Sequence, residues 1–302
     1  MLWAKRCGLA GAALAMASLA FPAMSAEPMT LSGYMALKGP DPTQHIAYGP
    51  APLQYVEFFK PAGTGPFAVV VLIHGGCFMN RYQGMPQMRG MAGALAAKGV
   101  AVWNIEYRAL DTPGGGYPGT FLDVRSAMDL LVAQSKARRL DMGRLVIVGH
   151  SAGAALSLWV AGRGKLPESS PLYEARPLPI REVVALGGFA NLRPMVESSR
   201  TTCGFEMSRL TGAPSATRPD VFADTNPFDL TPNGSETVFI NGEHDAIVPP
   251  EQSADDAAHI RERGEATRTI VLPGESHYDE VAITSPSWPL VERVILEGLG
   301  IH

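Results

Sequence analysis

The chain has 302 residues, a formal net charge of −4 at pH 7 and 46% hydrophobic residues. This length and composition allow one large α/β domain or two small ones with a substantial core. The mildly acidic balance, with no basic cluster, gives no reason to expect a nucleic-acid partner.

The first 26 residues have the three-part layout of a secretory signal peptide. Lys5 and Arg6 form a short basic stretch, an apolar run extends from Leu9 to Phe21, and small residues follow up to Ser25 and Ala26. We therefore predict cleavage near Ser25 or Ala26 and export to the periplasm or the medium. A retained membrane anchor is the alternative, but the apolar run is short for a span of roughly 20 residues. No other segment of the sequence is long and apolar enough to span a membrane.

From residue 54 onward, apolar strand-like runs alternate with helix-like stretches. The predicted strands cover 68–73, 100–105, 145–148, 183–186, 237–241 and 268–272, and the predicted helices cover 85–98, 121–135, 151–161, 251–263 and 287–299. This alternation predicts one α/β domain over 27–302, with a mostly parallel sheet flanked by helices. The region at about 188–233 lacks a clear strand and is predicted to be a lid, a binding loop or a small helical insertion over the site.

Polar residues follow three of the predicted strands at the carboxyl edge of the sheet, where ligands of parallel sheets gather. Ser151 lies in the sequence GHSAG, Asp245 in GEHDAIVP and His277 in PGESH. A serine hydroxyl becomes a nucleophile when a histidine takes its proton and a carboxylate orients that histidine. We therefore predict Ser151, His277 and Asp245 as a catalytic triad. The alternative acids are Glu243, Asp224 and Asp229.

Bare backbone near the serine is suited to stabilise a developing oxyanion. Gly75, Gly76 and Cys77 follow His74 after the first buried strand, and Ala152 begins the helix behind the serine, where the helix dipole favours negative charge. The predicted oxyanion donors are the backbone N–H groups of Gly75, Gly76, Cys77 and Ala152. The glycines two residues before and two residues after the serine are needed because side chains there would collide across a sharp turn.

Other polar residues near these motifs are predicted to support the scaffold. We expect structural roles for His74 and His150, and pairing of Asp123 within the scaffold. The residues predicted to brace the loop after His74 are Glu106, Tyr107 and Arg108.

These motifs together resemble the α/β-hydrolase family, from about residue 54 to the end of the chain. The elbow GHSAG, the upstream HGG loop and the chain order of Ser151, Asp245 and His277 match the family pattern. Within the family, LIHGGCF and VWNIEYRALDTPGGGYPGTFLDV resemble the kynurenine formamidase-like and carboxylesterase-like branch, which implies hydrolysis of small carboxylic esters or aryl formamides. Two positions depart from these relatives. Cys77 replaces the third glycine of hormone-sensitive-lipase relatives, and Phe78 replaces a tryptophan that is frequent in formamidase-like members.

The substrate pocket is predicted to be apolar and suited to an aromatic or short aliphatic group. Its predicted lining consists of Phe78, Met79, Phe189, Phe205 and Met207. Met195, also in the insertion, could line it as well, and the alternative role of the four insertion residues is a small satellite core. Cys77 and Cys203 remain after loss of the leader, and we predict a disulfide between them, with two buried thiols as the alternative. We predict no metal and no cofactor, since the sequence has no CxxC and no spaced Cys/His cluster.

The sequence therefore predicts an exported serine hydrolase that cleaves a small ester or amide through an acyl-enzyme. An arylformamidase ranks second, because the resemblance includes formamidases but the chain carries an export signal. A hydrolase fold that has lost catalysis and serves as a binding module is disfavoured by the complete triad. An exopeptidase is disfavoured because the chain has no room for a propeller. The acyl group, the leaving group and the oligomeric state stay open.

Overall fold

A computed structural model describes residues 27–82 and 84–302, so the predicted signal peptide lies outside the described residues. The strands are β1 (Gln44–Ala47), β2 (Tyr55–Phe59), β3 (Phe67–Ile73), β4 (Ala101–Ile105), β5 (Leu140–His150), β6 (Glu182–Leu186), β7 (Glu236–Gly242) and β8 (Thr267–Leu272). The helices are α1 (Leu31–Met35), α2 (Met85–Ala97), α3 (Gly119–Gln134), α4 (Ala152–Gly162), α5 (Val196–Thr201), α6 (Met207–Thr211), α7 (Pro250–Glu262) and α8 (Trp288–Gly298).

The strands form one sheet in the order β1-β2-β4-β3-β5-β6-β7-β8. β2 pairs antiparallel with β1 and β4, and the strands from β4 to β8 pair in parallel. The predicted α/β-hydrolase fold, with a mostly parallel sheet between layers of helices, is confirmed.

The central strands are buried on both sides, and their side chains alternate between two cores. In β3, Val69, Val71 and Ile73 belong to a core cluster that includes residues of α3, α4 and α7. Val70 and Leu72 belong to a second cluster that includes residues of α1, α2 and α8. Since each fully buried Val, Leu or Ile side chain contributes about 1.5–3 kcal/mol relative to exposure, the two cores fix the sheet in place. The loops at its carboxyl edge are thereby held on a rigid base.

The sequence analysis did not predict β1, β2 or α1. β1 buries only Ile46, and β2 carries the buried Glu57, so neither shows the continuous apolar run of a central strand. Glu57 is accommodated because Arg89 of α2 donates from Nε to its carboxylate at 3.0 Å. α1 spans only five residues and is too short for a helical period to be visible.

The insertion contains α5 and α6, so it is helical in part, as one of the predicted alternatives proposed. Phe189, Phe205 and Met207 join the first core cluster and do not form a satellite core. Within the described residues, no helix combines the length and apolar character that a membrane crossing requires.

A prediction follows from Glu182, the first residue of β6, which is 9% exposed and opposite Glu236 of β7. Burial, and then the charge of Glu236, raise the pKa of Glu182 to about 7. The unfolded chain releases this proton nearer its ordinary value of 4.5, so native stability is lost as pH rises from about 4.5 to about 7. We expect Glu182→Gln to unfold at the same temperature as wild type at pH 4 and at a higher temperature at pH 8.

Thermal unfolding followed by circular dichroism at pH 4, 6 and 8 measures this difference. Glu168→Gln, at an exposed position, is the control and should show no such trend. A Glu182→Gln advantage that is the same at all three pH values would contradict the assigned titration.

Candidate active site

Ser151 occupies a strained turn between β5 and α4. Its backbone has φ 52° and ψ −120°, which is costly for a residue with a side chain and is characteristic of a nucleophile elbow. The flanking glycines allow the turn: a Cβ on Gly149 would overlap the Gly153 carbonyl, and one on Gly153 would overlap the carbonyl oxygens of Ile73 and His74. Ser151 is therefore held at the carboxyl edge of the sheet with α4 starting directly behind it.

The loop after β3 approaches Ser151 closely. A Cβ on Gly75 would lie 2.9 Å from the Ser151 Cβ, so only glycine fits there. Gly76, Cys77 and Phe78 have φ values of 101°, 54° and 54°, so the chain reverses sharply over three consecutive residues. A backbone of this kind exposes N–H groups on the inside of the turn.

All four predicted oxyanion donors have free N–H groups within the described part of the chain. The backbone N–H groups of Gly75, Gly76, Cys77 and Ala152 donate no hydrogen bond to another described residue. That of Ala152 is the first of α4, where helix geometry leaves the N–H unpaired and the dipole positive. Backbone N–H groups of this kind suit an anionic oxygen.

Residues that directly follow β4 brace this loop, as predicted for Glu106 and Tyr107 but not for Arg108. His74 Nε2 donates to Glu106 Oε1 at 2.8 Å, and the Tyr107 hydroxyl donates to the His74 carbonyl at 3.0 Å. The Tyr107 ring also stacks on the His74 ring at 4.3 Å. Arg108 does not brace this loop: its guanidinium instead binds Asp123 at 2.7 Å, because the start of α3 brings that carboxylate beside it.

His277 and Asp245 meet at the end of β7 and β8. His277 Nδ1 lies 2.7 Å from Asp245 Oδ2, and both side chains are buried. The other oxygen of Asp245 accepts the backbone N–H groups of Ile247 and Val248, each at 2.8 Å. With Nδ1 hydrogen-bonded to the carboxylate, Nε2 is the histidine nitrogen available to a substrate or a hydroxyl.

The alternative acids are engaged elsewhere. Glu243 is exposed and accepts the N–H of Gly274 at 2.8 Å. Asp224 is buried against Arg218, and Asp229 pairs with Arg193 at 2.7 Å. Among these four candidate acids, Asp245 is the one that contacts His277.

A second layer of buried polar groups supports the histidine. His150 Nε2 donates to the His277 carbonyl at 3.0 Å, and burial followed by the adjacent His277 lowers the pKa of His150 to about 3. Glu280 Oε1 accepts the N–H of Gly242 at 2.7 Å, and burial followed by the charge of Asp245 raises the pKa of Glu280 well above its usual range. Both pKa shifts favour the neutral form of the side chain, so burial limits the charge that His150 and Glu280 place beside His277.

His150, His277 and Glu280 each place one potential metal-ligating atom within 4.8 Å of the other two. The hydrogen bonds above engage His277 Nδ1, His150 Nε2 and Glu280 Oε1, one atom of each of the three side chains. We assign no metal to this cluster.

Two cavities meet at Ser151. The small one, of about 30 Å³, is mainly apolar, and the large one measures about 200 Å³. Both are lined by Cys77, Ser151, Thr202 and Ile247. The remaining lining of the small cavity is Phe78, Ala152, Phe189, Leu192, Met195, Ser198, Ser199, Cys203, Phe205, Met207 and Val248. That of the large cavity is Leu31, Tyr34, Gly76, Tyr82, His150, His277 and Tyr278.

Four of the five predicted pocket residues line the small cavity, and Met79 does not. Met79 is buried in the first core cluster, because the turn at Phe78 directs the next residue away from the cavity. Met195, which the sequence also indicated as a possible pocket residue, lines the small cavity. Ser199 and Thr202 were missed, although they follow Met195 at a helical spacing that was readable in principle. No sequence pattern indicated that Leu31 and Tyr82 would line the large cavity.

Cys77 and Cys203 are joined by a disulfide with a Cα–Cα distance of 5.5 Å. The bond connects the loop after β3 to the insertion just after α5. In addition, Arg81 donates to the Cys203 carbonyl at 2.8 Å. The insertion is therefore attached directly to the loop that carries the candidate oxyanion donors.

Comparisons with known proteins place this geometry in context. The sequence matches the BD-FAE family model over residues 57–259. A comparison with curated protein sequences finds no match. Esterase B of Lactobacillus rhamnosis is structurally similar with a TM-score of 0.73 at 18% identity, covering 89% of this chain and 89% of that one.

Two further solved structures share the fold. An esterase of Thermogutta terrifontis with bound propionate has a TM-score of 0.63 at 18% identity, covering 84% of this chain and 90% of its own. The bifunctional GH43-CE protein of Bacteroides eggerthii has a TM-score of 0.67 at 21% identity and 85% coverage of this chain. This chain spans only 35% of that protein.

The contact between His277 and Asp245 leads to a prediction. We expect Asp245→Asn to lower kcat/KM for p-nitrophenyl acetate by about 10³–10⁴-fold, since an amide cannot stabilise an imidazolium. Glu243→Gln, two residues away and exposed, should stay within about twofold of wild type, because an exposed charge in water acts weakly. Circular dichroism establishes that both variants are folded. A larger loss in the Glu243 variant would overturn the assignment of the acid.

Proposed function

The chain belongs to the BD-FAE family, a family of α/β-hydrolase-type esterases, and from this premise we propose that it is an exported serine esterase of short-chain carboxylic esters. The observation that carries the proposal is the buried His277–Asp245 hydrogen bond of 2.7 Å beside a cavity that Ser151 also lines. The strained turn at Ser151 supports a nucleophilic role, because such strain is costly unless the geometry is used.

The proposed reaction has two halves. In the first, Ser151 Oγ attacks the ester carbonyl carbon while His277 Nε2 takes the hydroxyl proton, and Asp245 stabilises the resulting imidazolium. The N–H groups of Ala152 and of the loop at Gly76 stabilise the oxyanion. His277 then gives its proton to the leaving alkoxide oxygen, and the alcohol departs from an acyl-enzyme.

In the second half, water loses a proton to His277 as its oxygen attacks the acyl carbon. The tetrahedral intermediate collapses, Ser151 Oγ takes the proton back, and the carboxylic acid leaves. No atom other than those of the substrate ester and one water is required.

The two cavities support an orientation of the ester. The leaving group must lie beside His277, which protonates it, and the large cavity is the one that His277 lines. The acyl group then enters the small cavity behind Ala152. A volume of about 30 Å³ there leaves room for roughly one or two groups of the size of a water molecule, so acetyl and propionyl esters should be preferred.

Activity measurements with a chain-length series of p-nitrophenyl esters test the proposal. We expect kcat/KM to be highest for acetate and propionate and to fall steadily from butyrate toward octanoate and palmitate, because a long chain does not fit the small cavity. Ser151→Ala should lower turnover of the best ester by about 10⁴-fold or more without unfolding the protein.

N-formylkynurenine in the same assay addresses the formamidase alternative. Cleavage of the formamide alone, kcat/KM that climbs toward long acyl chains, or near-wild-type turnover by Ser151→Ala would each overturn this proposal. Ser170→Ala, at a buried serine that lines neither of the two cavities at Ser151, is the control for removal of a hydroxyl.

Export is part of the proposal. It rests on the leader-like sequence at the N-terminus and on the Cys77–Cys203 disulfide, since disulfides persist mainly in oxidising compartments. The bond closes a long loop and contributes up to about 4–5 kcal/mol in the chain-entropy model.

Expression of the full sequence in a Gram-negative host tests the export. We expect the intact mass in the periplasmic fraction to correspond to a chain that begins near Ala26, with no reactive thiol after denaturation without reductant. A full-length cytoplasmic product, or two free thiols in the processed chain, would contradict it.

A further inference from the structure

The segment at residues 27–35, which we call the N-terminal segment, lies against the loop that carries His277. The Met29 N–H donates to Asp279 Oδ2 at 2.9 Å, and Ser276 Oγ donates to the Met29 carbonyl at 2.8 Å. The two partners flank His277 on either side in the sequence. The same Asp279 carboxylate accepts the Ser276 N–H at 2.8 Å, so segment and loop share one hydrogen-bond network.

The N-terminal segment also forms part of the wall of the large cavity. Leu31 and Tyr34 both line it, together with His277 and Tyr278. Tyr34 is 2% exposed, and its ring centroid lies 5.3 Å from that of Tyr278. Leu31 is 41% exposed at the rim of the cavity, so its side chain has free surface that a ligand in the cavity can cover.

The composition of this wall is suited to an aromatic group. Tyr34, Tyr82 and Tyr278 contribute three aromatic rings, and Leu31 contributes an apolar side chain. Aromatic rings pack well on one another in tilted arrangements, as Tyr34 and Tyr278 already do with each other. A small alkyl alcohol in the same cavity would reach few of these surfaces.

Resting on the proposed function, we propose that the N-terminal segment is the specificity-determining wall of the leaving-group site, with Leu31 as the contact that favours esters of phenols and other aryl alcohols over esters of small alkyl alcohols. Leu31 lines the large cavity and not the small one, so it acts on the alcohol half of the ester alone. The acyl half lies on the other side of Ser151.

The experiment compares acetates that differ only in their leaving group: ethyl, phenyl and 1-naphthyl acetate. We expect Leu31→Ala to lower kcat/KM for the two aryl acetates by about tenfold, the scale of a lost apolar contact in a pocket, and to leave ethyl acetate within about twofold. Leu31→Trp should reduce the space in the cavity and lower kcat/KM for 1-naphthyl acetate more than for phenyl acetate.

The acyl half supplies an internal control. The p-nitrophenyl ester chain-length preference should be the same in wild type and both Leu31 variants, because the acyl cavity is unchanged. Val132 of α3, 45% exposed and absent from both cavity linings, is the matched position. Val132→Ala and Val132→Trp should alter none of the ratios.

Two results would overturn the inference: an equal fall for ethyl and aryl acetates in Leu31→Ala, or a shift of the acyl-chain preference in either Leu31 variant. The first would make Leu31 a general support of the loop, and the second would reverse the assignment of the two cavities. This test can fail independently of Ser151→Ala. The ratio of kcat/KM for aryl acetates to that for ethyl acetate measures the contribution of Leu31 to leaving-group preference, whichever residue is the nucleophile.

Discussion

The backbone turn at Ser151 is the constraint on which the rest of the site depends. A residue with a side chain at φ 52° is held only where its surroundings leave no alternative. Here β5 is buried in the middle of the sheet and α4 packs into the first core, so both ends of the turn are fixed. Gly149 and Gly153 remove the collisions that would otherwise force the turn open. The loop of Gly75 can then approach Ser151 closely because it too lacks a Cβ.

This arrangement explains why the support of the site is distributed over several strands. The sheet holds the strained turn at Ser151, and His74 with its partners just after β4 holds the loop at Gly76. Asp245, just beyond β7, holds His277. The disulfide of Cys77 then joins that loop to the insertion, which forms most of the small cavity. The cavity next to the serine is thus bordered by segments that are fixed separately, and its size does not depend on one mobile element.

The sequence was informative wherever a local pattern reflects a global requirement. The continuous apolar run of β3 requires burial on both faces, and the glycines around Ser151 require a tight turn, so both could be predicted. The choice of Asp245 over Glu243 rested on the fold, and the contact with His277 now provides its physical basis. β1 could not be predicted because it buries only Ile46. β2 could not be predicted because its buried Glu57, paired with Arg89, interrupts the apolar pattern of a buried strand.

The part of the site that no local pattern could indicate is made by contacts between distant residues. Met29 and Asp279 are 250 positions apart, yet their hydrogen bond places the N-terminal segment against the histidine loop. Tyr34 extends this contact inward, since it belongs to the second core cluster together with residues of α2 and α8. The histidine loop is therefore attached to the core on one face of the sheet, whereas α4, behind the serine, belongs to the core on the other face. The sheet between the two cores therefore lies between the structure that supports Ser151 and the structure that supports the loop of His277.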